Sequence, residues 1–317
     1  MENSSNNRSL LSEADAVDTA FDEIPIIDMA DADSPDPLAR KALAAKIRDA
    51  CIRVGFFYIK NHSIPTSLPE AAIEHSLPFF ALPEEEKMKY DIHASSNFKG
   101  YNAFLSENTD PEGRGDLNEG FNFGWEALED EDGKVTENAW NHTDGPMSGM
   151  NVWPNGGEDM KVFRRALLTY YHSAVKLGLR LFPLLALALD LPENFFDDKQ
   201  VFTILYQQDE IPALQVLNSA GKWIQAIPIH GTLVVNLGDQ LARWTNDVFK
   251  STVHRAINRS GVRRYSIPLF FGTDYDVPIE ALPSCVSDTH PAKYEPITAG
   301  EYVKSRLEAT YTRSKAT

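Results

Sequence analysis

The chain is poor in cysteine: its 317 residues include only Cys51 and Cys285, which lie far apart and lack metal-ligand spacing. A disulfide framework and a zinc module are therefore disfavoured, and a reducing, cytoplasmic compartment is expected. No apolar run approaches the roughly 20 residues that a membrane span needs. The segment Met1–Ala20 is polar and acidic, without the basic and then apolar order of a signal peptide. The sequence therefore predicts neither membrane insertion nor secretion.

Positive charge is also scarce, with 30 Lys and Arg against 46 Asp and Glu and a net charge of −16. Phosphate-backbone binding needs clustered basic side chains, so we expect no nucleic-acid partner. P-loop, GxGxxG and GxSxG motifs are absent, which removes the usual support for nucleotide binding and for serine hydrolases. The chain does have ample core-forming material, because 43% of its residues are hydrophobic, and this composition is typical of a globular protein.

The first half of the chain is predicted to be helical and then irregular. Residues 1–22 have little to bury and are expected to form a disordered tail. Residues 23–157 form an N-terminal region in which apolar spacing predicts helices at Pro37–Val54 and Leu68–Phe80, with a strand at Phe56–Lys60 between them. From Asp91 onward the periodicity disappears, which indicates long loops of the kind that line a pocket.

The second half combines one long helix with closely spaced strands. An apolar stripe predicts a single helix over residues 158–192. Residues 193–275 hold six short β-branched or aromatic segments, and residues 276–317 form a C-terminal extension. This order predicts a mainly β fold with flanking helices rather than a doubly wound parallel sheet. The six predicted strands are Val201–Tyr206, Ala213–Leu217, Lys222–Ile227, Thr232–Leu237, Ser251–Ile257 and Arg264–Phe271.

Two of these strands carry the residues that indicate chemistry. His254 lies in one strand and Arg264 opens the next, and a hairpin would bring both side chains into one cavity. A neutral imidazole can bind a transition metal, while a guanidinium with the Ser266 hydroxyl on the same face can grip a small carboxylate. A non-haem iron oxygenase that uses a 2-oxo acid needs this combination. The alternatives are a core histidine bonded to the backbone and an arginine in a structural salt bridge.

Further motifs follow one another along the chain: Ile24-Pro-Ile-Ile-Asp28, Gly55-Phe-Phe-Tyr-Ile-Lys-Asn-His62, Lys99-Gly-Tyr101, and then the strands up to Phe271. In these motifs and their order the chain resembles the iron(II)- and 2-oxoglutarate-dependent oxygenases of the isopenicillin-N-synthase-like branch. The resemblance implies a double-stranded β-helix jelly roll and the oxidation of a small organic molecule, by hydroxylation or desaturation. It implies Fe(II) and 2-oxoglutarate as cofactors, His254 as an iron ligand, and Arg264 with Ser266 as the site for the far carboxylate of 2-oxoglutarate.

The chain departs from the family at the start of the predicted jelly roll. The family's iron site also uses a His-x-Asp pair, which should lie shortly before Val201. Only Lys199 and Gln200 separate Val201 from Asp198, where the preceding helical region ends. The resemblance therefore implies a distorted, incomplete jelly roll that lacks two of the three protein ligands to iron. The alternative to an active oxygenase is an impaired or inactive homologue, or an incomplete gene model.

Two other histidines could be considered as substitute ligands. His142-Thr143-Asp144 has the letters of the missing pair, but it lies in an acidic, glycine-rich loop and not on a barrel strand. A metal site needs rigid ligand geometry, so we expect that this pair does not bind iron. His230 precedes a predicted strand and is expected to be a polar residue at the rim of the barrel.

Overall fold

The computed structural model describes residues 10–17, 20–106, 117–129, 134–137, 149–197 and 202–314. No helix in these ranges is both long and apolar enough to cross a membrane.

The chain divides into two compact units, the first made of Met1–Ile64, Lys176–Thr273 and Val277–Ile297, and the second of Pro65–Val175, Asp274–Asp276 and Thr298–Thr317. The helices and strands are, in chain order, α1 (Leu10–Asp15), β1 (Ile26–Asp28), α2 (Pro37–Arg53), β2 (Phe56–Lys60), α3 (Ser67–Phe80), α4 (Glu84–Lys87), β3 (Gly100–Asn102), β4 (Gly120–Asn122), β5 (Leu128–Glu129), β6 (Val135–Glu137), α5 (Glu158–Ala188), β7 (Phe202–Gln207), β8 (Leu214–Leu217), β9 (Trp223–Gln225), β10 (Leu233–Leu237), α6 (Asp239–Trp244), β11 (His254–Ala256), β12 (Ser266–Phe270), β13 (Pro278–Ile279), β14 (Ile297–Thr298) and α7 (Ala299–Ser314).

The first unit contains a five-stranded sheet and a three-stranded sheet. The larger sheet has the order β1-β2-β10-β7-β12, and the smaller has the order β11-β8-β9. Apart from the parallel pair β1 and β2, all pairs in both sheets are antiparallel. The strands β11 and β12 are therefore each the outer strand of a different sheet.

The predicted elements are confirmed in type and in approximate position. The six strands predicted after residue 192 correspond to β7 through β12, and the long helix is α5. Helix α2 begins at Pro37 because Asp36 caps it, its carboxylate accepting a hydrogen bond from the Leu38 amide at 2.9 Å. The interior of α5 accommodates Gly178 for a packing reason, since a Cβ there would lie 2.1 Å from the ring of Phe271.

The predicted disordered tail is wrong for its described part. Residues 10–15 form α1, whose Leu10 is buried. Glu13 pairs with Arg48 of α2 at 3.0 Å, and Phe21 packs into the core. Leu10, Phe21 and Glu13 therefore make contacts that the polar composition of this segment did not predict. Residues 1–9 and 18–19 lie outside the described ranges.

The two sheets pack against each other through one apolar layer, which we call the inter-sheet cluster. Alternation along each strand points every second side chain into this layer. Tyr58 also donates a hydrogen bond from its hydroxyl to the Ile227 carbonyl at 2.7 Å, which ties the two sides together. Burial of each large apolar side chain stabilises the fold by about 1.5 to 3 kcal/mol. The cluster consists of Phe21, Ile24, Val54, Phe56, Tyr58, Leu214, Val216, Ile224, Ala226 and Val234, with Leu205 packed against it.

Gly55 joins the end of α2 to the chain segment that leads into β11. It has a φ of +74° and its amide bonds to the Ala50 carbonyl at 2.9 Å, which ends the helix. A Cβ at this position would lie 2.2 Å from the Lys250 carbonyl oxygen. The Thr252 hydroxyl donates to the Val54 carbonyl at 2.6 Å, so this close approach holds the segment directly before His254.

We predict that Gly55→Ala destabilises the protein more than Gly221→Ala. Both glycines have a φ of +74°, but nothing lies within 4 Å of the Cβ that alanine would add at Gly221. Gly221→Ala should therefore cost only the backbone strain of about 1 to 2 kcal/mol, whereas Gly55→Ala should cost at least about 1 kcal/mol more. Urea unfolding of both variants measures this difference, and equal losses would contradict the proposed packing constraint.

Candidate active site

His254 opens β11 with its imidazole in a defined orientation. The Nδ1 atom lies 3.0 Å from the Thr252 carbonyl oxygen, and the ring packs edge-on against Phe56 with centroids 5.0 Å apart. Because a carbonyl can only accept a hydrogen bond, Nδ1 is the donor, and in the neutral imidazole this leaves the lone pair on Nε2. A hydrogen bond of this kind orients histidines that bind metals through the other nitrogen. The imidazole is thus in the tautomer that a metal ligand requires.

Arg264 lies just before β12 and is partly buried without a carboxylate partner in the described part of the chain. One terminal nitrogen donates to the Ser266 hydroxyl at 3.1 Å and the other to the Gln207 side-chain oxygen at 3.3 Å. The Nε atom is buried and has no hydrogen-bond partner. Burial lowers the pKa of this guanidinium from its usual value. A cation held by neutral groups alone is costly, and an anion placed beside it would offset that cost.

Gln207 holds Arg264 in place, and the sequence reasoning missed it. It ends β7 directly opposite Ser266 in the antiparallel register, and its amide nitrogen lies 3.4 Å from the Ala226 carbonyl. The signal was present in the sequence. Leu205 packs against the inter-sheet cluster, and Gln207, two residues later on the same strand, points to the same side.

The predicted hairpin between the strands of His254 and Arg264 is wrong. Strand β11 pairs with β8, and β12 pairs with β7 in the other sheet. The two side chains nevertheless border the same inter-sheet cluster. His254 contacts its Phe56, and Arg264 reaches its Ala226 through Gln207. The spacing of His254 and Arg264 in the sequence did not indicate this arrangement of their strands, because it depends on which strands pack against the same apolar layer.

Iron(II) does not fit the residues that the structure describes. Within those ranges, no group of three or more His, Cys, Asp or Glu side chains is placed to hold a metal ion. His254 could supply one ligand, and one imidazole alone cannot hold iron(II) against water. His230 is exposed, and its Nδ1 lies 2.6 Å from an Asp209 carboxylate oxygen. His142, Asp144 and the junction at 198–201 lie outside the described residues.

Family models match two long stretches of the chain. Residues 24–156 match the N-terminal region of non-haem dioxygenases, described as acting in morphine synthesis, and residues 188–273 match the 2OG-Fe(II) oxygenase superfamily. The chain belongs to the 2-oxoglutarate and iron(II) oxygenase family. The family uses iron(II) and 2-oxoglutarate to oxidise small molecules, and the oxygenase interpretation of the motifs is confirmed.

Known relatives span nearly the whole chain. A 2-oxoglutarate-Fe(II) type oxidoreductase, hxnY of Emericella nidulans, is 33% identical over 92% of this chain and 91% of its own length. A homoarginine-6-hydroxylase of Oryza sativa is 30% identical over 90% of this chain and 97% of its own. A full-length Neurospora crassa protein, solved in complex with alpha-KG and thymine, superposes with a TM-score of 0.72 at 26% identity, over 90% of this chain and 96% of its own. These oxygenases share the jelly-roll fold, so the fold prediction is also confirmed.

We predict that Arg264→Met leaves the free energy of unfolding within about 1 kcal/mol of the parent, because this guanidinium neutralises no carboxylate in the described chain. The matched variant Arg48→Met removes a guanidinium that pairs with Glu13 and Asp190. That change should cost about 1 to 3 kcal/mol. Chemical denaturation measures both. A larger loss at Arg264 than at Arg48 would mean that Arg264 serves the fold rather than a ligand.

Proposed function

We propose that this chain binds 2-oxoglutarate through Arg264, Ser266 and Gln207, and that it turns over little or no substrate because it holds iron(II) weakly or not at all. The observation that carries the proposal is the partly buried guanidinium, with a buried and unbonded Nε and no carboxylate partner in the described chain. In this family 2-oxoglutarate supplies the electrons for oxygen activation at the metal. The chain would thus keep the cofactor site while lacking most of the metal site.

The chemistry of Arg264 favours a carboxylate over other anions. Its two terminal nitrogens and Nε form a planar set of donors that matches the two oxygens of a carboxylate. The Ser266 hydroxyl, which accepts from the guanidinium, can donate its own proton to the same carboxylate. The Gln207 side chain orients the guanidinium from the opposite side. A dicarboxylate of the length of 2-oxoglutarate would place its second end toward the inter-sheet cluster that His254 borders.

Two observations support the proposal that the metal site is incomplete. Strand β11 is the outer strand of its sheet, so within the described residues no neighbouring strand places a second ligand beside His254. The alignment with the relative hxnY spans 331 positions, more than the 317 residues of this chain, so the relative has stretches that this chain does not. We propose that the strand with the His-x-Asp pair is among them.

The substrate class that we propose is a small polar organic molecule. Relatives act on homoarginine or were solved with thymine bound. Both compounds are small and nitrogen-rich. Any weak activity that remains in this chain is expected on molecules of that size.

The first test is calorimetric titration of the metal-free protein with 2-oxoglutarate. Arg264→Met should weaken binding by about tenfold to a hundredfold, the worth of a charge-assisted hydrogen bond to a carboxylate. Arg263→Met is the matched control, because Arg263 is the exposed neighbour and should change the affinity less than twofold. Equal binding by Arg264→Met and the parent would overturn the proposed cofactor site.

The second test separates a cofactor-binding protein from an active oxygenase. Glutarate lacks the 2-oxo group that chelates a metal. At a complete metal site, added Mn²⁺ therefore raises the affinity for 2-oxoglutarate but does not change the affinity for glutarate. For this protein we expect Mn²⁺ to change neither affinity. His254→Ala should bind both compounds with the affinity of the parent. With Fe²⁺ present, the amount of succinate formed should stay at the background level. Tightening of 2-oxoglutarate by Mn²⁺ that His254→Ala abolishes would show that the metal site is complete.

A further inference from the structure

The outer edge of β11 presents backbone groups that no described strand uses. Val253 and Ile257, on either side of the strand, bond to β8 through the pairs Leu217 N to Val253 O and Ile257 N to Ala213 O, both 2.9 Å. In an antiparallel ladder the residues between them point their backbone groups the other way. The amides and carbonyls of His254 and Ala256 therefore face outward, two donors and two acceptors in strand geometry.

This edge lies in the basic part of an acidic protein. The stretch from Lys250 to Thr273 contains no Asp or Glu, although the whole chain carries a net charge of −16. Arg259 and Arg263 are exposed and make no ion pair in the described structure. Arg255 stacks on Trp223, its guanidinium carbon 3.8 Å from the ring centroid, and has no carboxylate partner there. Arg255 thus lies on β11, and Arg259 and Arg263 lie within seven residues of its end in the sequence, with no carboxylate between them.

We propose that this edge of β11 is a docking site for an extended acidic segment of a partner protein, which pairs with β11 as an added strand. Addition of a strand to an exposed edge is a recurring form of peptide recognition, in which backbone bonds provide the affinity and side chains the specificity. The exposed Val253 and Val262 offer apolar contacts beside the strand. The proposal rests on the sheet order and the charge distribution, and it does not depend on the proposed cofactor site.

The charges and the hydrogen-bonding pattern of this edge favour an acidic peptide over a second copy of the chain and over a nucleic acid. A second copy that paired its own β11 with this one would bring two sets of Arg255, Arg259 and Arg263 together, and like charges at that distance repel. A nucleic acid would satisfy the arginines, but its phosphates only accept hydrogen bonds and leave the two outward carbonyls unpaired. An acidic peptide satisfies both the arginines and the backbone.

The probe is a fluorescent seven-residue peptide that alternates valine and glutamate, titrated into the full chain and followed by anisotropy. The double variant Arg259→Glu/Arg263→Glu should weaken binding at least tenfold. Its matched control is Lys41→Glu/Lys46→Glu, the same change in net charge at two exposed positions of α2, which should weaken binding less than twofold. Equal weakening by both pairs would overturn the proposal, because net charge alone would then explain binding.

Ala256→Pro tests the backbone pairing without changing any charge. Proline removes one outward amide and none of the bonds to β8, so binding should fall at least fivefold while the thermal midpoint shows that the variant is folded. Hydrogen exchange of the parent should show protection of the His254 and Ala256 amides on peptide binding. No binding of the peptide would overturn the proposal, and so would unchanged binding by Ala256→Pro. If an oligonucleotide competes equally well, the partner is a nucleic acid and the proposal is overturned. If the parent forms a dimer that Ala256→Pro dissociates, the partner is a second copy of the chain and the proposal is likewise overturned.

Discussion

The apolar layer between the two sheets is the constraint on which the candidate site depends. Phe56 and Val234 contribute to it from the larger sheet, and Val216 and Ile224 from the smaller. Neither sheet could bury its apolar face alone, so their packing decides where the ends of β11 and β12 lie. His254, on β11 of the smaller sheet, contacts Phe56 of this layer directly. Arg264, just before β12 of the larger sheet, reaches the layer through Gln207. The proposed cofactor site therefore depends on the integrity of this layer.

Arg264 illustrates a conflict between stability and function. A partly buried guanidinium held only by a hydroxyl and an amide is unfavourable for the folded state, and a protein under selection for stability alone would replace it. A carboxylate ligand would supply the missing negative charge and offset this cost. His254 differs, because its hydrogen bond to Thr252 and its contact with Phe56 are favourable whether or not a metal is bound.

This chain belongs to an iron-dependent family, but its described residues do not form an iron site. The explanation that we propose is the unpaired edge of β11. His254 lies on β11 and Ser266 on β12, and each of these strands ends its sheet. An iron site shared between strands needs a neighbour beside β11, and the open edge marks where ligands are lacking among the described residues. The same open edge exposes backbone groups that a partner can use. The proposed loss of a metal site and the proposed docking edge are thus two consequences of one unpaired strand.

Much of this protein could be predicted from local sequence patterns. The position of α2, the length of α5 and the six strands from β7 to β12 follow from periodicity and turn residues, which act over a few neighbouring positions. The motif order was sufficient to indicate the family. The burial of Leu10 and Phe21, by contrast, was not visible in a polar segment, because their partners lie far away in the chain.

The residue types of the candidate site were also determined by the sequence alone, since an imidazole and a guanidinium have the same chemistry in any fold. Only the tertiary structure decided that β11 and β12 lie in different sheets, that Gln207 orients Arg264, and that no carboxylate in the described chain neutralises it. The physical reason is that strand pairing and the partners of a buried charge depend on contacts between residues distant in the chain, which local patterns do not encode.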